Sequence, residues 1–130
     1  MDLTEAIKLK DEPISTETLS QLIVESIQDT KGKKIVQLDL RDIPEAPTDF
    51  FIVCEGDSIT QVRAISENIK KTLRDDYGIP PSRSEGIENS KWILVDYFDV
   101  VVHIFHPETR SYYELEELWS DAKVTSIAEA

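Results

Sequence analysis

At 130 residues with one cysteine, the chain is long enough to bury one core, too short for two, and free of any internal disulfide framework. Hydrophobic residues at 40% and charged residues at 31% exclude wholesale disorder, and a lone thiol fits a reducing compartment. The net charge of −12 divides as −4 up to Arg74 and −8 from Asp75 onward. That balance disfavours a direct grip on nucleic-acid phosphates. It suits a basic partner such as a ribosomal protein, a polyamine or a basic enzyme, or serves solubility alone.

Residues 1–14 lack a sustained period and end in Asp11-Glu12-Pro13, which reads as a loose arm. No signal-peptide core or apolar run of about 20 residues is present, so the expected address is the cytoplasm and no membrane is involved. Ser15 or Thr16 can cap a first helix whose Leu19, Leu22, Ile23 and Ile27 share a face. Thr30-Lys31-Gly32 would end it, with Gly32 suited to a left-handed cap. Ile35–Leu40 alternates as a half-buried strand, with Val36, Leu38 and Leu40 on one side. Arg41–Asp49, with Pro44 and Pro47, is a loop. Phe50–Cys54 is apolar on both faces, the mark of a strand near the centre of a sheet.

Glu55-Gly56-Asp57-Ser58 leads into a second helix, with Ser58 and Gln61 as a capping box and Ile59, Val62, Ile65, Ile69 and Leu73 as its buried stripe. Tyr77-Gly78 and Pro80-Pro81 stop it. A short strand fits near Arg83–Gly86. Trp92–Val95 and Val100–Phe105 then form a hairpin about Asp96, Tyr97, Phe98 and Asp99. Glu108–Ala122 reads as a last helix with Tyr112, Leu115, Leu118 and Trp119 on one face, and 123–130 as a flexible tail. The order α-β-β-α-(β)-β-β-α predicts an α/β (α+β) domain over 15–122, a mixed sheet flanked by helices.

Chemistry-bearing groups are sparse. His103 and His106 are three apart on an extended run and point to opposite faces, poorly placed to share a metal. Cys54 lies in the most apolar strand, where a thiol is inert packing. Gly56-Asp57-Ser58 could hold an anion at a helix start, but Glu55 and Asp57 oppose it and a tight capped turn explains it better. Asp96 and Asp99 are either turn residues or a carboxylate pair for a divalent ion, as in nucleotidyl transfer. Trp92 shares a strand face with Leu94 and Asp96, and periodicity fits a binding anchor and a core residue equally.

Trp92–Phe105 (WILVDYFDVVVHIF) and Arg110–Ala122 (RSYYELEELWSDA), with Thr48–Val53, Glu55–Ser58 and Glu85-Gly86, together resemble the ribosomal silencing factor family, RsfS or Iojap-like. The resemblance spans Leu19–Ala122. It implies a nucleotidyltransferase-like fold without catalysis, cofactor or metal, and a protein that binds the large ribosomal subunit through its protein number fourteen. Bound there it would block joining of the small subunit and repress translation; organelle relatives assist large-subunit assembly, and members are often dimeric off the ribosome. By the same likeness Trp92 is the anchor, with Asp96, Tyr97, Phe98, Asp99, Glu85, Gly86 and Tyr113 as further partner-binding residues. The family's usual glycine is replaced by Phe98. Either the turn adopts another geometry or the ring is an exposed contact.

Overall fold

A computed structural model describes residues 14–130; the arm expected over 1–14 lies outside them except for Ile14, which packs on the core. The elements are α1 (Thr16–Asp29), β1 (Lys33–Asp39), β2 (Phe50–Glu55), α2 (Ile59–Tyr77), β3 (Arg83–Glu85), β4 (Trp92–Asp96), β5 (Val100–Phe105), α3 (Pro107–Tyr113), α4 (Leu115–Leu118) and β6 (Lys123–Ile127). They form one six-stranded sheet in the order β3-β4-β5-β2-β1-β6. β2 and β5 are parallel, Phe50 opposite Val100 through Glu55 opposite Phe105, and the other neighbours are antiparallel. This is the expected mixed α/β sheet flanked by helices. Among the described residues no helix is long and apolar enough to cross a membrane.

Local chemistry sets the helix ends. The Ser15 hydroxyl accepts from the Thr18 N–H at 3.1 Å, and Leu19, Ile23, Val24 and Ile27 form the buried stripe of α1. At its C-terminus Lys31, not Gly32, takes the left-handed conformation at φ 62°, because the Gly32 N–H is drawn back to the Ile27 carbonyl at 2.9 Å. Ser58 caps α2 by accepting from the Gln61 N–H at 3.0 Å. Gln61 accepts in return from the Asp57 N–H at 2.6 Å and donates to the Thr30 and Lys31 carbonyls, so the turn at Gly56-Asp57-Ser58 is the expected tight capped turn, its helix start occupied by the chain's own side chain. Val62, Ile65, Ile69 and Leu73 are buried as expected, but Ile59 stands exposed at the first position.

Both helices cover one face of the sheet, packing on Ile35, Ile52, Cys54, Ile93, Val95, Val102 and Ile104. Burial pushes the Cys54 thiol up to about 12, so it stays protonated. The opposite face presents Leu38, Phe51, Val53, Val101 and Phe105, covered by Leu40, Leu115 and the partly buried Ile43, Ala46 and Trp119.

The C-terminal part departs from expectation twice. The single helix over 108–122 is broken at Glu114, φ 49°, and Tyr112 and Leu118 are 81% and 74% exposed while Leu115 is buried. The break lets Leu115 reach the sheet while Arg110 stays pinned: its guanidinium lies 3.4 Å from Glu55 and 3.0 Å from Glu116 and donates to the Lys34 carbonyl at 2.8 Å. The flexible tail expected over 123–130 is replaced in part by β6, which pairs with β1 from Asp39 opposite Lys123 to Ile35 opposite Ile127. Four of its five residues are exposed, so it lacks the apolar alternation that marks a strand in sequence; backbone pairing alone makes it one.

Arg110→Ala is expected to cost on the order of 3 kcal/mol, because it leaves the Glu55 carboxylate buried without its partner. Denaturant unfolding measures this directly.

Candidate functional site

The hairpin β4–β5 and the edge strand β3 leave one stretch of the second sheet face uncovered. Register decides what faces it. Trp92, Leu94 and Asp96 alternate outward on β4 and are half-buried, while Ile93 and Val95 point to the helices. Leu94 pairs with His103 and Trp92 with Phe105. Pro47, Phe51, Arg83, Leu94, Val101 and His103, with Asp96 and Phe98, line a groove of ≈ 310 Å³, and a second hollow beside it is lined by Glu85, Gly86, Trp92 and Leu94.

Aromatic rings knit the floor. Trp92 stacks on Phe105 at 4.8 Å and lies 4.9 Å from Tyr113, while Phe51 meets His103 edge to face at 4.6 Å. Trp92 Nε1–H donates to His103 Nδ1 at 3.1 Å, which places the imidazole proton on Nε2. His103 is 4% exposed and Nε2 has no hydrogen-bond partner. Burial, opposed only by the Asp96 charge, pushes the imidazole down to about 4. Trp92 is therefore both part of the core and part of the rim, which is why its periodicity fitted either role.

The other expected site residues fall into two groups. Glu85, Gly86, Asp96, Phe98 and Tyr113 gather around this face with Trp92. Gly86 has φ 92°, and a Cβ there would collide with the Trp92 carbonyl, so only glycine lets β3 approach β4 this closely. Tyr97 does not join them. It is buried in the core beneath the helices, because one step along the strand turns a side chain to the opposite face. Asp99 acts through its backbone: its carbonyl accepts from the Asp49 and Phe50 N–H groups, both at 3.1 Å.

The turn itself is unusual. Asp99 N–H donates to the Tyr97 carbonyl at 3.0 Å across Phe98, whose φ is 75°. This i to i+2 bond with positive φ is the uncommon, strained γ-turn, and a non-glycine residue there costs on the order of 1–3 kcal/mol. The missing glycine has therefore not moved the backbone out of the positive-φ region that favours glycine, and Phe98 is left 80% exposed. Asp96 is engaged on both oxygens, accepting from the Phe98 N–H at 2.7 Å and from Arg83 Nε at 3.1 Å, in the manner of a turn residue. Among the described residues no group of three or more His, Cys, Asp or Glu side chains converges as metal ligands do.

Sequence reasoning missed Leu94, Phe51, Val101 and Pro47 as groove residues. The alternation on β4 already held the signal for Leu94; the other three needed the parallel β2–β5 pairing, which is non-local.

A family model described as "Ribosomal silencing factor during starvation" matches residues 13–130. The chain belongs to the ribosomal silencing factor family. It is 41% identical over 114 residues to ribosomal silencing factor RsfS of Halalkalibacterium halodurans, covering 88% of this chain and 96% of that one. A crystal structure of a Chromobacterium violaceum protein superposes with a TM-score of 0.78 at 36% identity, over 90% of this chain and 96% of that one. A mouse protein named for mitochondrial assembly of the ribosomal large subunit is 35% identical over 78 residues, 56% of this chain and 33% of that protein. The family's name denotes a regulatory role rather than a reaction.

Because the unfolded chain takes up a proton near pH 6.5 that buried His103 refuses until about 4, the fold loses stability as pH falls through that window and holds it in full above. The window is worth on the order of 3 kcal/mol. His103→Asn keeps an acceptor near Nδ1 without a titrating group, and denaturant midpoints between pH 7 and 4 should fall less steeply for it than for the wild type.

Proposed function

We propose that this protein represses translation in the cytoplasm by binding the large ribosomal subunit through its protein number fourteen and so blocking the small subunit from joining. The family match over residues 13–130 carries the reading. It is supported by an uncovered aromatic and apolar face on an otherwise well-covered sheet, the kind of patch that marks a protein-binding site. The net charge of −12 favours capture by a basic ribosomal protein and acts chiefly on the association rate. Trp92, Leu94, Glu85, Gly86, Tyr113 and the Asp96–Asp99 turn form the docking face, with Tyr97 supporting it from the core. Off the subunit, two copies pair, shielding apolar surface that is otherwise left in water.

The mouse relative's name favours a second reading, assistance in assembling the large subunit from the same docking site. The stage at which large subunits accumulate in a deletion strain separates the two: mature subunits point to silencing, immature precursors to assembly.

The purified protein should co-sediment with isolated large subunits and slow subunit joining in light scattering. Leu94→Arg, at a half-buried position in the groove, should weaken binding at least about tenfold while its circular dichroism stays native. Normal joining rates at saturating wild-type protein overturn the reading. Trp92→Ala is the poorer probe, since it also removes the partner of His103.

A further inference from the structure

We propose that Phe98 is the specificity anchor of the docking face: a fixed aromatic knob that enters an apolar hollow on the partner, bordered there by lysine or arginine side chains. The inference deepens the ribosomal reading above and rests on it.

Three observations carry it. First, Phe98 holds φ 75°, a conformation suited to glycine, and yet its ring is 80% exposed. The fold bears the backbone strain without gaining burial in return, so the ring's compensation lies outside the monomer.

Second, the knob is held in place. The Phe98 N–H donates to Asp96 Oδ1 at 2.7 Å, the Thr48 hydroxyl donates to the Phe98 carbonyl at 2.7 Å, and the Tyr97 N–H donates to the Val100 carbonyl at 2.9 Å. Thr48 is itself buried. A loop this well tied loses little freedom on binding, the condition under which one side chain can act as an anchor.

Third, the surroundings define what the knob enters. Phe98 stands between the apolar groove floored by Leu94, Val101 and His103 and a polar hollow that includes Asp49 and Asp99. Its neighbours Asp49, Asp96 and Asp99 are acidic. The nearby bases are engaged: Arg83 with Asp96 and Glu85, Arg41 with Glu17 and Asp39. An aromatic ring in an acidic collar is complementary to an apolar pocket with a basic rim, and repels one with an acidic rim.

The test pairs thermal melting of the free protein with titration onto purified large subunits. Phe98→Gly should melt at or above the wild-type temperature, since the turn is relieved, and bind at least about tenfold more weakly. Phe98→Tyr, which keeps the ring and the strain, should match the wild type in both measurements. A wild type that binds beside a Phe98→Gly variant that binds equally well overturns the anchor and leaves the ribosomal reading standing. A Phe98→Gly protein that melts several degrees lower overturns the strain argument and the proposal with it. A wild type that does not bind large subunits overturns the underlying reading, and the anchor falls with it.

Discussion

The parallel pairing of β2 with β5 is the constraint on which the rest of the molecule depends. Both strands are buried along their whole length, so both faces of the sheet must be covered. α1 and α2 supply one cover in full. The other has only α3, α4 and the loop over 40–49, and these shield the centre of the sheet, reach β4 through Tyr113 at Trp92 and leave the rest of β4 and β3 open. The uncovered stretch is thus a consequence of topology, one long helical layer set against one short broken layer, and the proposed docking face occupies it.

On that side the residues that hold the fold also line the proposed docking face. Trp92 fills space against Phe105 and Tyr113 while satisfying His103, and Gly86 allows β3 to lie close enough to complete the rim. A histidine held neutral inside an aromatic cluster is costly, with Nε2 unpaired. The same arrangement fixes the indole through its N–H, and a fixed indole loses less freedom on binding. Arg110 plays the matching role two strands across, where Glu55 stands in register with Phe105 and Trp92, tying α3 to β1 and β2 so that Tyr113 is placed beside Trp92.

Much of this was legible in the sequence, and the failures share a cause. The caps at Ser15 and Ser58, the doubly apolar β2, the hairpin and the buried stripes of α1 and α2 are signals carried by neighbouring residues. Glu114 breaks a helical pattern because Arg110 and Leu115 answer to different partners, Glu55 on one side and the sheet on the other, and neither demand is visible in local periodicity. β6 has polar residues on both faces and exists only because β1 offers an open edge. Tyr97 was grouped with the turn by its position in the motif, whereas the two-residue period of β4 carries it into the core. Phe98 shows the reverse: the absence of a glycine was plain in the sequence, but only the backbone geometry shows that the chain kept the glycine-like conformation and placed an aromatic ring on it.

The position of β6 has a bearing on how the molecule comes into being. Its partner β1 is made early, yet its outer edge stays open until residues 123–127 arrive to pair with it and Gln28 of α1 can donate to the Ala128 carbonyl. The central pair likewise joins Phe50 to Val100, a distant closure of the kind that makes folding slow. On a translating ribosome the central pair can close once Phe105 has emerged, but the β1–β6 pairing cannot finish while residue 127 is still inside the exit tunnel. The nascent chain therefore carries an unpaired edge strand, a template for wrong pairing, until residues 123–127 emerge, and a protein whose proposed task is to hold ribosomes idle leaves its own sheet open while one is still reading through those residues.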